Sequence, residues 1–448
     1  MTPERDTQPV VAWNAAPSPH DGTALPALRT AIPGPRGRAW VDDLAAHECP
    51  GTTARRGRRA EEHGVERDPV VWERARGSNV WDPDGNRYVD LTGGFAVVAA
   101  GHAHPFVTAR VREQLETLVH GLGDAFPSTV RIELARRLAE LTPGALGGCI
   151  FASSGSESVE AAIKTAVLAT GRGRLIAFED GYHGMTLGTL PVSHYREGFR
   201  APFRSLLVPF ADHMPWGEAL DPSGEPPAAV LVEPVQGRGG CRLPPTGWLR
   251  HLRQFCDQTG ALLIFDEIFT GFGRAGELFL AGSPAADGVI PDLLCIGKGL
   301  TSGFPLSACL GTPEAMGAWG MSRGEAIHTS TFLGHPVGCA AGLAVLDLFE
   351  HHGLLHRART LAREMGRDLV ELAGRRPDRI VAIRGDGAMR GVELRGRDPM
   401  AVCGELLRCG YLSLPSGGSG DVVGLTPPLT MTRAQWKGAL EALEAALD

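Results

Sequence analysis

The sequence predicts an α/β fold, a mostly parallel sheet covered by helices, with a smaller α+β unit attached. Three observations predict it. Between residues 148 and 296, short apolar runs alternate with stretches of helical spacing. Those runs are apolar at successive positions, as strands buried on both faces must be. After Pro336 the pattern changes to one long helical stretch followed by a few strands and further helices.

Taken in order, residues 1–35 are rich in Pro, Thr and Ala without periodicity, so they are expected to be disordered or loosely attached. Residues 36–66 carry the run Arg55-Arg56-Gly57-Arg58-Arg59, expected to be a solvated segment. Order is expected from about Val70. Asn79 to Asp90 reads as a hairpin with Asp84-Gly85 at its turn. Pro105 to His120 and Arg131 to Leu141 have helical spacing. Gly148 to Phe151 is a strand, and Ser156 to Thr170 a helix. Leu175 to Phe178 and Ala229 to Val232 are strands, Leu249 to Thr259 a helix. Ala261 to Phe265 and Leu293 to Ile296 are strands. Val337 to Ala373 is helical, Ile380 to Ile383 and Arg390 to Leu394 are strands, and helices are expected near 400–409 and 433–447.

Composition excludes several classes. A net charge of −7 argues against a nucleic-acid protein. No apolar run is long enough to cross a bilayer, and the first 30 residues lack the apolar core of a secretory signal. The nine cysteines include no CxxC pair, and several lie in apolar runs (Cys149, Cys295, Cys309). They read as reduced thiols of a cytoplasmic protein. His102-x-His104 is the best-spaced metal-ligand pair, but no Cys set or carboxylate stands beside it, so no metal site is expected.

Only three of the 44 basic residues are lysines: Lys164, Lys298 and Lys437. Arginine does not lose its proton in a protein and cannot act as an amine nucleophile, so a retained lysine is a candidate for that task. Lys298 ends an apolar run and opens the loop Gly299 to Gly303, which places its amine at the carboxyl end of a strand. Open α/β sheets bind ligands at that edge. Three more strand ends finish in capable groups: Glu233, Asp266, and Ser153-Ser154-Gly155-Ser156-Glu157, which leads into a helix. Ser154-x-x-Glu157 fits a capping box, and a helix start with a glycine for close approach suits a phosphate. Tyr182-His183 sits between Gly181 and Gly184. Gly271-x-Gly273-x-x-Gly276 matches a dinucleotide pattern but does not open a helix, so it carries no weight. A phosphate cradle, an imine-forming amine, an acid for a ring nitrogen and a flat aromatic partner together suit pyridoxal 5′-phosphate (PLP).

Assembled, the motifs identify a resemblance. They are Asp82-x-x-Gly85-x-x-Tyr88-x-Asp90, Gly101-His-Ala-His-Pro105, Ser154-Gly-Ser-Glu157, Gly181-Tyr-His-Gly184 and Glu233-Pro-Val-Gln-Gly237. Phe265-Asp-Glu-Ile-Phe-Thr-Gly-Phe-Gly-Arg274, Gly297-Lys-Gly299 and Thr329-Ser-Thr-Phe332 complete them. From about Val70 onward the chain resembles the class III (ω-amino acid type) aminotransferases of the fold-type I PLP enzymes. The resemblance implies that Lys298 holds PLP and shuttles the proton, and that Asp266 pairs with the ring nitrogen. It implies that Ser154, Gly155 and Ser156 bind the phosphate, helped by Thr331 of a second subunit. Tyr182 and Ile268 would flank the ring, with His183 and Glu233 near the cofactor. A homodimer with a shared site is implied. So is a division into an extension (1–66, partly disordered), the N-terminal part of a small domain (67–115), a large PLP-binding domain (116–335) and the C-terminal part of the small domain (336–448).

Three departures stand out. The family often has Gln where Phe269 stands, and many members have Glu where Arg238 stands. Members acting on α-carboxylates often carry Arg at the position of Gly424, in Asp421-Val-Val-Gly-Leu-Thr-Pro-Pro428. Arg390 is the candidate substitute, weighed against a structural arginine. Phe95, Phe269 and Ser330 are pocket candidates by position. The leading expectation is amino transfer between an amine or ω-amino donor and a 2-oxo acid such as 2-oxoglutarate or pyruvate. A racemase, epimerase or lyase on the same scaffold is the alternative, and a non-catalytic PLP-binding protein the third reading.

Overall fold

The computed structural model describes residues 20–49, 69–321, 324 and 326–448. Among them run fifteen strands: β1 Arg74–Arg76, β2 Asn79–Trp81, β3 Arg87–Asp90, β4 Gly148–Ala152, β5 Leu175–Phe178, β6 Ala211–Met214, β7 Ala229–Val232, β8 Leu262–Asp266, β9 Leu293–Ile296, β10 Ser307–Gly311, β11 Ile380–Asp386, β12 Met389–Leu394, β13 Tyr411–Leu412, β14 Leu414–Ser416 and β15 Val422–Leu425. The central sheet has the order β4-β10-β9-β8-β7-β5-β6. Strands β5 to β9 pair in parallel, while β10 runs antiparallel to both β4 and β9. The expectation of a mostly parallel sheet holds. β10 lies between Pro305 and Pro313 and is short and rich in small residues (Ser-Ala-Cys-Leu-Gly), so no alternation marks it.

Side chains alternate between the two faces of a strand, and here the alternation separates two cores. Ile176, Phe178, Val230, Val232, Phe265, Leu294 and Ile296 enter one apolar cluster. Leu175, Ala177, Ala229, Leu231, Ile264, Leu293 and Cys295 enter the other. The second is closed by Val159, Ala162, Ile163 and Ala166 of the helix Gly155–Thr170. The first receives Leu249, Leu252 and Phe255 of Trp248–Thr259, together with residues of Thr129–Leu141 and Pro336–Glu350. Continuous apolar runs are therefore required: neither face of the sheet meets water.

The long helical stretch is two helices, Pro336–Glu350 and Leu354–Arg375, broken at Gly353. Its φ of +73° is one that glycine adopts without the steric cost of a Cβ. Beyond them β11-β12-β15-β14 form one small antiparallel sheet. β13 leaves that region and pairs in parallel with β3, Tyr411 against Val89, which joins the C-terminal segment to the hairpin 79–90. Asp82 organises that hairpin. Its carboxylate accepts the N–H groups of Asp84 and Asn86 and the hydroxyl of Tyr88.

Residues 20–49 differ from expectation. Asn79 exchanges two hydrogen bonds with the backbone of Ala24, and Asn86 accepts the N–H groups of Arg29 and Thr30. The helix Pro35–His47 docks its first N–H groups, those of Arg36 and Gly37, on Asp84. Polar side chains of the hairpin, not apolar periodicity, hold this segment, so no pattern in the segment itself announces it. The expectations for residues 1–19 and for the Arg55–Arg59 run lie outside the described residues.

The nine cysteines are unpaired, most of them buried, with Cys49 and Cys409 exposed. No helix among the described residues is long and apolar enough to cross a membrane.

Candidate active site

Parallel strands end at one edge, and the ends of β4, β5, β7, β8 and β9 deliver the candidate groups there: Ser153 to Ser156, Tyr182-His183, Glu233, Asp266 and Lys298. Lys298 follows β9 at a φ of +36°, an uncommon conformation for a residue with a side chain. Its amine is partly buried and has no ion-pair partner among the described residues. Nζ lies 4.2 Å from the centre of the Phe269 ring. Burial pushes its pKa down from 10.5 to about 8, with Asp266 and Glu233 opposing and Arg238 and Arg274 assisting.

Asp266, only 3% exposed, closes β8. Its Oδ2 lies 2.7 Å from Nδ1 of buried His183, and its Oδ1 accepts the Ile268 N–H. Burial alone would lower the His183 pKa, but the hydrogen bond and charge of Asp266, with the charge of Glu233, raise it on balance. The two side chains thus form a buried hydrogen-bonded pair. Glu233 accepts the N–H groups of Tyr182 and Gly237. Burial pushes its pKa up to about 7. Glu267, one residue beyond Asp266, accepts the N–H groups of Leu280 and Ala281 and so ties down the loop that holds the GxGxxG pattern. That loop is a set of turns, as expected, and it seats Arg274 against the carbonyls of Ala388 and Pro427.

Ser154 caps the helix Gly155–Thr170 by accepting the Glu157 N–H, while the Glu157 carboxylate accepts the N–H of Ser153, one residue before the cap, so the serine half of the predicted capping box forms and the glutamate reaches one residue further. The N–H groups of Gly155 and Ser156 have no partner within the helix. A Cβ at Gly155 would stand 2.9 Å from Ile268, whose side chain also lies against Gly297. Ile268 therefore fills the floor between the helix start and the root of Lys298. Ser156 Oγ accepts the Met185 N–H.

These residues suit PLP. The free N–H groups and the Ser156 hydroxyl offer anion donors. Lys298 offers an amine of lowered pKa with no carboxylate bound to it. Asp266 is a carboxylate held in place by His183, and Tyr182 and Ile268 offer flat or apolar surfaces. No group of three His, Cys, Asp or Glu suited to a metal occurs among the described residues. His102 instead meets Asp90, at 2.9 Å.

Other candidates lie elsewhere. Thr331 is exposed in the single chain, and its neighbour Phe332 packs on His120. Ser330 is partly buried, and its Oγ has no hydrogen-bond partner. Phe95 is 61% exposed. Arg390, the substrate candidate, donates its guanidinium to the carbonyls of Gly385 and Gly387 and meets Asp386, and so braces the β11–β12 turn. Two residues gain importance from the structure, Arg238 and Tyr195. Arg238 lies over Tyr182 and Tyr195, with its guanidinium carbon 4.6 and 4.9 Å from the ring centres. In the sequence Arg238 stands out only as a departure. Tyr195 carries one weak signal there, being one of only four tyrosines in the chain.

The profile described as "Aminotransferase class-III" matches residues 61–447. The acetylornithine aminotransferase of Methanopyrus kandleri is 40% identical over 85% of this chain and 95% of its own length. Among solved structures, an amine transaminase from an uncultivated Pseudomonas species, in PLP-bound form, superposes with a TM-score of 0.75 at 31% identity, over 85% of this chain and 95% of that one. An (S)-enantioselective omega-transaminase from Thermomicrobium roseum gives a TM-score of 0.80 at 29% identity, over 94% and 99%.

Proposed function

The chain belongs to the class-III aminotransferases, PLP-dependent transaminases of the α/β fold-type I, and we propose that it moves an amino group between an amine or ω-amino donor and a 2-oxo acid acceptor in two half-reactions at Lys298. The observation that carries the reading is the convergence of Lys298, Asp266, Glu233, Tyr182 and Ser156 on one sheet edge.

In this reading Gly155 and Ser156 hold the PLP phosphate, Asp266 faces the ring nitrogen, and Tyr182 and Ile268 flank the ring. PLP, when bound, accepts the amino group and stabilises the carbanion left when a C–H bond breaks. The rest is the protein's work. Lys298, at a pKa of about 8, is in part an unprotonated amine near neutral pH, able to attack a carbonyl or to take a proton from the carbon that bears the donor's amine. Within that half-reaction the same Nζ would pass the proton on to the cofactor carbon that comes to bear the amine, and in the second half-reaction it would carry a proton the opposite way, onto the acceptor's carbon. His183 holds the Asp266 side chain in place beside the ring by a hydrogen bond. Glu233 fixes the backbone of Tyr182 and Gly237. Phe269 presents an apolar face to Lys298 where a hydrogen-bonding side chain would hold its amine.

Gly424 on β15 carries no side chain, and its backbone lies against Leu414 O and Ser416. That supports a donor without a fixed α-carboxylate at this wall. A solved relative named an amine transaminase is consistent with such a donor, whereas acetylornithine, for which the curated relatives are named, offers an ω-amine but also bears an α-carboxylate. The domain division at 67–115, 116–335 and 336–448 is part of the reading, supported by the β3–β13 pairing. So is a homodimer, supported by the exposed apolar residues Leu122, Phe126, Ile327 and Phe332.

The test is a donor panel on purified holoenzyme: benzylamine, γ-aminobutyrate, N-acetylornithine and several α-amino acids, with pyruvate and 2-oxoglutarate as acceptors. The aminated product of each acceptor is left out, since it must react in reverse. At least one amine or ω-amino donor is expected to exceed the α-amino acids about tenfold in kcat/KM, roughly one unmade charged contact. The opposite ranking sinks the donor assignment.

Gly184 gives a second check. At its φ of +118° a Cβ would fall 2.1 Å from Ser156 Oγ. Gly184→Ala is expected to displace Ser156 and to weaken PLP binding by about 10- to 100-fold, the cost of local strain of ~1–3 kcal/mol. Titration of the apoenzyme with PLP, followed by absorbance, measures it. Unchanged affinity would remove Ser156 from the phosphate site.

A further inference from the structure

Arg238 is set at the tip of a closed loop. Gln236 and Arg242 exchange backbone hydrogen bonds at its base, each 3.0 Å. Gln236 Nε2 donates to the Glu179 carbonyl, and Arg242 pairs with Asp180. At the tip the Arg238 carbonyl accepts the Gly417 N–H and the Ser416 hydroxyl. The backbone of Arg238 is therefore fixed against the end of β14, beside Gly424.

The side chain is not committed in the same way. Its guanidinium lies on the faces of Tyr182 and Tyr195. It makes no ion pair and no hydrogen bond with any described residue. Of the other guanidinium groups near this edge, Arg242 pairs with Asp180, Arg384 with Glu393 and Arg390 with its own turn, while fully buried Arg274 donates through Nη1 to two carbonyls and leaves Nε and Nη2 without a partner. A partly buried guanidinium with unused donors, supported flat by aromatic rings, is organised to receive a planar anion in two parallel hydrogen bonds. Its position matches the need, since Tyr182 is the residue proposed to flank the cofactor ring. The field of Arg238 also reaches Lys298, where it favours the neutral amine.

We propose that Arg238 receives the carboxylate of the 2-oxo acid substrate and of the amino acid formed from it, and so supplies from the 236–242 loop the carboxylate contact that Gly424 does not. The inference rests on the transaminase reading for its substrate class. An amine donor without a carboxylate would leave the guanidinium on the tyrosines, while a carboxylate acceptor would engage it. One pocket then serves two unlike substrates.

The test uses holoenzyme with Arg238→Gln and Arg238→Lys, after circular dichroism shows both folded. The first readout is binding of glutarate, an unreactive dicarboxylate, by calorimetry. Its Kd is expected to rise about 10- to 100-fold in Arg238→Gln, the range for losing a charged hydrogen-bonding partner, and to be recovered in part by Arg238→Lys. The second is the kinetic split between pyruvate and the uncharged propanal as acceptors. KM for pyruvate should rise by a similar factor with kcat moved less, so that preference for pyruvate over propanal falls. Unchanged Kd and KM in Arg238→Gln, or a loss that Arg238→Lys does not relieve at all, would overturn the assignment and leave the guanidinium as packing on the tyrosines. Wild-type enzyme that aminates none of pyruvate, 2-oxoglutarate and propanal would count against the proposed amino transfer instead, and the glutarate comparison would still decide whether Arg238 binds carboxylates.

Discussion

Lys298→Ala is expected to lower amino transfer by about 10⁴-fold or more, because one substitution removes both the amine that holds the cofactor and the group that moves the proton. Intact-mass measurement after borohydride treatment separates the two losses: wild-type protein retains the mass of PLP and the variant does not. If the variant retains it, another amine holds the cofactor and the assignment fails. A stability effect accompanies the functional one. The pKa of Lys298 is lowered in the folded protein from 10.5 to about 8, chiefly by burial. Between those values the unfolded chain binds more protons than the folded one, so stability rises with pH across that window. Below about pH 8 the folded state carries the full cost of the buried ammonium, on the order of 3 kcal/mol at most. Apo Lys298→Met should therefore unfold at higher temperature than wild-type apoprotein at pH 7, and the gap should narrow as pH climbs from 8 toward 10. A gap independent of pH would mean that the amine is not desolvated.

Much of this site is legible in the sequence because its chemistry sits at strand ends, and strands buried on both faces are conspicuous. Lys298, Asp266 and Glu233 each follow an apolar run of four or five residues, and the parallel sheet brings them to one edge. The cap at Ser154 is legible because it is a local pattern with a local cause. What stays hidden depends on contacts distant in sequence. His183 meets Asp266 across 83 residues and Arg238 meets Gly417 across the domain. The docking of residues 20–49 depends on Asn79, Asn86 and Asp84, which lie outside that segment. The contacts of Arg390 are hidden because an arginine in a strand looks the same whether it binds a substrate or braces its own turn. β10 escapes notice because five residues, four of them small, show no alternation, although the sheet needs that strand to join β4 to β9.

Asp266→Asn is the more discriminating variant, because it preserves shape and removes charge. The amide can still accept the Ile268 N–H and meet His183, so packing at this 3%-exposed position should survive. What is lost is the carboxylate proposed to face the PLP ring nitrogen. Without it that nitrogen is not held protonated, and the ring draws fewer electrons from the breaking C–H bond. We expect kcat to fall about 10²- to 10³-fold, the scale of removing one preorganised electrostatic group, with PLP still bound. A loss below about fivefold would sink the role. His183 supplies an independent readout. Its pKa is raised in the folded state by Asp266 and Glu233 against the opposing effect of burial. A raised folded value contributes stability that is fully present below the unfolded pKa of about 6.5 and is lost as pH rises through the folded value. Wild-type apoprotein should therefore lose this increment as pH rises above about 6.5, and Asp266→Asn should show little of that dependence, since the main partner of the imidazolium is gone. Melting temperatures of the two apoproteins across pH 5.5 to 9 test it. Parallel curves would show that His183 is neutral in both, and that Asp266 is held by some other means.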